Sequence, residues 1–290
     1  MTGMTGSTGH YRRRRLVERV MFGMTVLATA TSLGILLFIL GYLVYEGGSS
    51  LSLSFFTNLP TPVGETGGGM ANAMIGSAKL LLVAAAIGVP IGFIGGVYLA
   101  EIGTGRLAFW VRYAADVLNG VPSIVIGVTV YALLVVPMGH FSTLAGGVAL
   151  GLIMMPVTLR TTEEFLRLVP MSLREASLAL GAPQWVTVAR VVVPAGVRGI
   201  VAGILLSLAR VAGETAPLLF TAFSNRFWSE GWNQPTASLP VVIFTYAVSP
   251  YDDWHRQAWA AALVLLCLVL GSNVLARVIL QRGAGGFRRA

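Results

Sequence analysis

Lysine occurs once in these 290 residues, as Lys79, and cysteine once, as Cys267. A single cysteine rules out disulfides and cysteine-rich metal frameworks within the chain. A Walker A loop needs Gly-Lys-Ser/Thr at its end, whereas the only lysine reads "SAKLL", so ATP is not bound by that route. The three histidines, His10, His140 and His255, have no paired metal-ligand spacing, and no Gly-x-Ser-x-Gly element is present. The reading is therefore no enzyme, no cofactor and no metal site. Charge is scarce as well: 11% of residues carry it, against about 25% in ordinary soluble domains.

What is abundant is apolar surface. Hydrophobic residues make up 55% of the chain and mean hydropathy is +0.77, the composition of an all-α polytopic membrane protein. The net charge of +8 is almost wholly arginine. No long basic or aromatic-interleaved face accompanies it, so nucleic acid is not an expected partner. The arginines sit instead at the ends of apolar runs, where topology signals belong.

A helix needs about 20 mainly apolar residues to cross the hydrocarbon core. Six windows qualify, at about 21–45, 73–100, 118–137, 143–161, 198–223 and 257–280. Residues 1–20 and 281–290 are left as tails. The "RRRR" at 12–15 precedes an apolar run of about 25 residues, longer than a signal-peptide core, so the first window reads as an uncleaved span. With the N-terminus inside, the inner side collects sixteen arginines and the outer side only Arg226 and Arg256. Both tails are then cytoplasmic by the positive-inside rule.

Gly88, Gly92 and Gly96 make a tandem GxxxG ridge in the second window, and Gly147–Gly151 and Gly199–Gly203 repeat the spacing. Such ridges let helix backbones pack closely. Pro90, Pro122, Pro156 and Pro217 are expected to kink the spans that hold them. The outer loop 224–256 carries Trp228, Trp232 and Trp254 at interface-like positions. Its "SLPVVIFTYA" is too short to span, and either lies flat or re-enters.

The inner loop 162–197 stands apart from the spans. Thr161 with Glu164, and Ser172 with Glu175, have the spacing of capping boxes. Gly181 offers a left-handed stop and Pro183 blocks continuation. A helix, a break at Pro170 and a second short helix follow. Glu175 serves as a cap, as a contact for a partner, or as both.

"EASLALGAPQWVTVARVVVP" resembles the EAA loop of ABC-importer permeases. Glu175, Ala176 and Gly181 match in register, Ser177 replaces the second Ala, Val191 and Val193 replace Ile and Leu, and Pro194 matches. The resemblance implies that Glu175, Ala176, Ser177 and Gly181 form a cytoplasmic coupling helix docking on an ATPase subunit.

The fifth window holds "SLARVAGETAPLLFTAF", in which Arg210 and Glu214 are four apart, on one face of a continuous helix and able to pair. Ionisable groups deep in a span usually face a polar interior. They form either a structural ion pair or an oxyanion site in which Arg210 donates, Glu214 holds its geometry and Thr215 adds a hydroxyl. Lys79 either snorkels to headgroups or adds a second positive point.

"RVAGETAPLLFTAF", together with "GVPSIVIG", "MPVTLRTTEEFLRLVP" and "SLPVVIFTYA", is similar to the PstA-type permeases of phosphate ABC importers. That resemblance covers about residues 70–280. It implies a six-span type I importer permease that moves inorganic phosphate at the plasma membrane. Its implied partners are a PstC-type sister permease, an ATPase subunit dimer, an external phosphate-binding protein and membrane lipid. Another oxyanion (molybdate or sulfate), an ATP-independent channel or secondary transporter, and a membrane scaffold for phosphate sensing remain alternatives.

Overall fold

A computed structural model describes residues 8–65 and 67–283. The first helix, α1 (Thr8–Gly48), begins inside the segment read as a tail and runs through the arginine cluster without interruption. A short α2 (Leu53–Thr57) in the first outer loop is capped by Ser52, whose side chain accepts from Phe55 N–H. Next come α3 (Ala71–Glu101) and α4 (Gly105–Gly120). The remaining elements are α5 (Ser123–Met138), α6 (Thr143–Arg167), α7 (Met171–Ala179), α8 (Gln184–Ala212), α9 (Ala216–Thr221), α10 (Leu239–Ala247) and α11 (Asp252–Gly283). Residues 1–7 and 284–290, which hold part of the first expected tail, most of the second, and Arg288 and Arg289, lie outside the described residues, as do the side chains of Arg12, Arg277 and Arg282.

Among the described residues, five helices are long and apolar enough to cross a membrane, and α4 with α5 make a sixth candidate bent by 101°. The window expected at 118–137 straddles that bend. Val121 and Pro122 interrupt the helix there, since Pro122 has no N–H to donate and disfavours helical backbone at Val121. The bend sets α4 nearly perpendicular to α5, so the pair cannot cross as one rod. On α4, Phe109, Trp110 and Tyr113 pack edge-on and stacked against one another while staying exposed, residue types that suit a headgroup interface.

The core is organised around α6. Of its most apolar window 67% is buried, against 28% for α3, α8 and α11 and 6% for α1. The glycine ridges account for this. A methyl carbon added at Gly88, Gly92 or Gly96 would come within 2.9, 2.7 or 2.7 Å of a backbone oxygen of α6, at Gly151, Met155 and Leu159 respectively. Backbones at that range exclude any side chain, which is why the ridge has none. On another face of α6, Gly203 fits against Thr161 and Gly199 against the Phe165 ring. Leu80, Ala84, Ile126, Leu150, Met154, Val211 and Leu218 fill the centre between these contacts.

Carbonyls from the end of α9 and the loop after it complete the N-terminal end of α6. Its first N–H groups lack intrahelical acceptors. Ser142 N–H donates to Thr221 O at 3.0 Å, Thr143 N–H to Gln234 O at 2.9 Å and Leu144 N–H to Trp232 O at 3.0 Å. Ser142 Oγ accepts from Ala145 N–H. The segment "SLPVVIFTYA" forms α10 and packs against the rest of the chain. Leu239, Pro240, Val241, Val242 and Tyr246 are buried there, and Leu239 N–H donates to Ser77 Oγ at 2.8 Å.

Candidate functional site: an elbow and a broken helix

The inner elbow starts where α6 ends at Arg167. Thr161 and Glu164 lie inside α6, where Thr161 Oγ1 donates back to Val157 O at 2.9 Å, so the first capping box does not form. The second fails too. Pro170 is the N-cap of α7 and makes no side-chain cap bond, which places Ser172 second in the helix rather than before it. Proline presets the entry conformation, and the helix begins two residues earlier than the capping pattern suggests. The far end follows expectation. Gly181 has φ +83°, its N–H donates to Leu178 O at 2.9 Å, and Ala182 N–H donates to Ser177 O at 3.3 Å. These two bonds make a Schellman stop.

Glu175, Ala176 and Gly181 are exposed, while Ser177 is half-buried. Ser177 Oγ lies 2.8 Å from Thr187 Oγ1, so the serine where the EAA pattern has alanine makes a hydrogen bond to the start of α8. The elbow also exposes large apolar side chains: Leu180 is 89% exposed, Trp185 71% and Met171 62%. Its inner wall is ionic. Arg174 Nε and Nη2 donate to the two Glu101 oxygens at 3.1 and 2.6 Å, and Nη1 and Nη2 reach Val169 O at 2.6 Å and Leu166 O at 2.8 Å. The Glu101 hydrogen bonds, opposed by desolvation, raise the Arg174 pKa above its ordinary value.

The second region is the outer part of α8. The helix stops at Ala212 and Gly213 is its C-cap, so the expected continuous span 198–223 is broken. The backbone turns through Gly213–Thr215 with Gly213 N–H on Arg210 O at 3.2 Å and Glu214 N–H on Val211 O at 3.1 Å, then restarts as α9. Pro217 of α9 rests on Gly127 of α5, where an added methyl carbon would meet Pro217 Cα at 2.5 Å. Arg210 is exposed; Glu214 and Thr215 are half-buried. The i,i+4 geometry does not survive the break, and no Arg210–Glu214 ion pair forms among the described residues. Non-helical backbone at membrane depth is tolerated where it is buried in protein or lines a polar cavity.

Lys79, the other cation considered, is held by the loop that follows α9. Its Nζ donates to Ser229 O at 2.6 Å and sits 5.8 Å from the centre of the Trp232 ring. It ties α3 to the second outer loop.

Sequence reading missed one cluster. Glu163, with 5% of its side chain exposed, receives Arg112 Nε at 2.7 Å, Arg167 Nη2 at 2.8 Å and Arg160 Nη1 at 3.1 Å. Arg160 also reaches Asp116 through Nε at 2.9 Å. The sequence alone marks those arginines only as topology signals. The i,i+3 and i,i+4 spacing of 160, 163 and 167 was a legible hint, whereas Arg112 and Asp116 come from another helix.

Residues 88–283 match the family described as binding-protein-dependent transport system inner membrane component. The chain is 46% identical to the phosphate transport system permease protein PstA of Yersinia pestis over 93% of its own length and 92% of that protein. It is 45% identical to PstA of Xylella fastidiosa over 96% of its length and 97% of that protein. The chain belongs to the PstA-type family of these permeases. PstA 1 of Mycobacterium tuberculosis is 44% identical over 73% of this chain and 70% of that one.

The fold of this PstA-type chain is that of type I importer permeases. A chain of the MetNI methionine ABC transporter in an inward-facing form superposes with a TM-score of 0.60, covering 73% of this chain and 96% of that one at 21% identity. A chain of an amino acid ABC transporter solved with histidines gives 0.56, covering 73% and 93% at 15% identity. Like those permeases, it is a multi-pass membrane protein.

Proposed function

We propose that this chain is the transmembrane subunit through which an ATP-driven importer moves inorganic phosphate into the cell across the plasma membrane. The observation that carries the reading is its 44–46% identity to PstA phosphate permeases over nearly the whole chain. The geometry agrees with it. Glu175, Ala176, Ser177 and Gly181 form a coupling helix that meets a separate ATPase dimer, and its exposed leucines and Trp185 supply apolar docking area. Such a patch outside the spans is costly unless covered.

Arg210, Glu214 and Thr215 line the translocation path at the break in α8. Arg210 offers its guanidinium fork to the anion and offsets part of the cost of stripping water from it. Glu214 tempers the local positive charge without holding Arg210 directly, and Thr215 adds a hydroxyl. A PstC-type sister permease supplies the opposite wall, and an external phosphate-binding protein delivers the anion to the outer loops. Both termini face the cytoplasm, as the arginine distribution requires.

The test is uptake of labelled phosphate by vesicles holding the full complex, with sulfate and molybdate as competitors. Uptake that needs ATP and the binding protein, and that only phosphate displaces, is the expected result. Uptake displaced by sulfate or molybdate would move the substrate to another oxyanion. Full-rate conduction by this chain alone would replace the importer with a channel.

A further inference from the structure

The Arg174–Glu101 pair is built more tightly than elbow anchoring alone requires. Arg174 keeps 14% of its side chain exposed and Glu101 6%. All three guanidinium nitrogens are engaged, two on one carboxylate and the third on a backbone oxygen, with Nη2 shared. A two-pronged fork fixes direction as well as distance, which a single hydrogen bond does not. Glu101 is the last residue of α3, and Leu166 and Val169 belong to the end of α6 and the turn after it. One side chain on α7 thus clamps the inner ends of both helices that the glycine ridge holds backbone to backbone.

The other exit from α7 is softer. From α7 to α8 the chain passes the left-handed Gly181, and α8 itself contains a π-helical stretch at Val188–Val192. Such a stretch loosens the regular ladder and often marks a hinge. The only side-chain hydrogen bond drawn across this exit among the described residues is the neutral Ser177–Thr187 pair at 2.8 Å.

We infer that Arg174 and Glu101 are positioning residues for transport: they make α7, α3 and α6 one rigid body, so a push on α7 moves the α3–α6 pair rather than being absorbed in the elbow. This rests on the coupling-helix reading above. Force travels through the clamp, and the Gly181 turn flexes. The pair stays closed throughout the cycle.

The experiment uses the complete complex with its ATPase subunits and binding protein, reconstituted in vesicles, and reads phosphate moved per ATP hydrolysed. Glu101→Gln leaves the ATPase co-purifying and hydrolysing, and lowers the ratio by about tenfold or more because the buried guanidinium loses its counter-charge. An unchanged ratio overturns the inference. A second arm does not depend on that variant assembling. In a Cys267→Ser background, Glu101→Cys with Arg174→Cys is joined by a short bismaleimide. Joining restores the ratio toward that of the unaltered complex, because a clamp that never opens tolerates a covalent substitute. Failure to cross-link, or hydrolysis without transport after cross-linking, overturns it. Loss of ATPase co-purification from the unaltered chain would instead sink the coupling reading itself.

Discussion

Glu163 and Arg112 meet at 2.7 Å across the two helices that the sequence separates by 51 positions. With Arg160 and Arg167 on the same carboxylate, this one buried acid holds α4 against the inner half of α6. Removing the charge leaves three guanidinium groups facing a neutral side chain.

Glu163→Gln should therefore destabilise the protein by on the order of 3 kcal/mol, since it breaks a buried ion network from its centre. Asp116→Asn, whose side chain is 59% exposed, should cost under about 1 kcal/mol because water screens that pair. Thermal unfolding in detergent compares the two. Equal shifts would contradict the central role of Glu163.

The glycine ridge makes a contrast within one residue type. A methyl group at Gly92 meets Met155 O and Thr158 Cβ at 2.7 Å, while one at Gly34 in α1 meets nothing within 4 Å. Gly92→Ala should cost about 1–3 kcal/mol as the α3 and α6 backbones separate. Gly34→Ala should leave the stability of this chain unchanged. The same unfolding measurement checks both.

On the elbow, Leu180→Glu and Trp185→Glu change side chains that are 89% and 71% exposed. Their packing within the chain is slight, so unfolding temperature should hold. Co-purification with the ATPase subunit should fall by about tenfold or more, the scale of losing a docking anchor. Gly181→Asp should weaken docking as well, with an added backbone cost of about 1 kcal/mol at φ +83°. Retained association with all three variants would remove α7 and its flanks from the docking surface.

Arg210→Gln should abolish phosphate uptake while leaving complex assembly intact. Glu214→Gln should weaken uptake separately. Because no bond joins the two side chains across the break after Ala212, a double-mutant cycle on the thermal stability of the assembled complex should give a coupling below about 0.5 kcal/mol. A large coupling would mean that the ion pair forms in the working complex.

Local rules read from the chain worked where the physics is local. The GxxxG spacing needs only helical periodicity, and the stop at Gly181 follows from the steric cost of a side chain at positive φ. The elbow's order of helix, Pro170 break and helix was legible for the same reason. Capping boxes at Thr161 and Ser172 misled, because α6 continues through the first and Pro170 caps α7 two residues before the second. Pairing of Arg210 with Glu214 assumed a helix that Gly213 ends.

Composition and local pattern, then, determined by themselves a helical membrane chain with a self-contained elbow, since hydrophobic length and backbone sterics are properties of short segments. Only tertiary structure decided that the kink at Pro122 is as wide as 101°, that α10 packs back into the protein, and that Glu163 gathers three arginines. These depend on which helices come to lie side by side, and a buried charge or a freed backbone group finds its partner only after that packing is set.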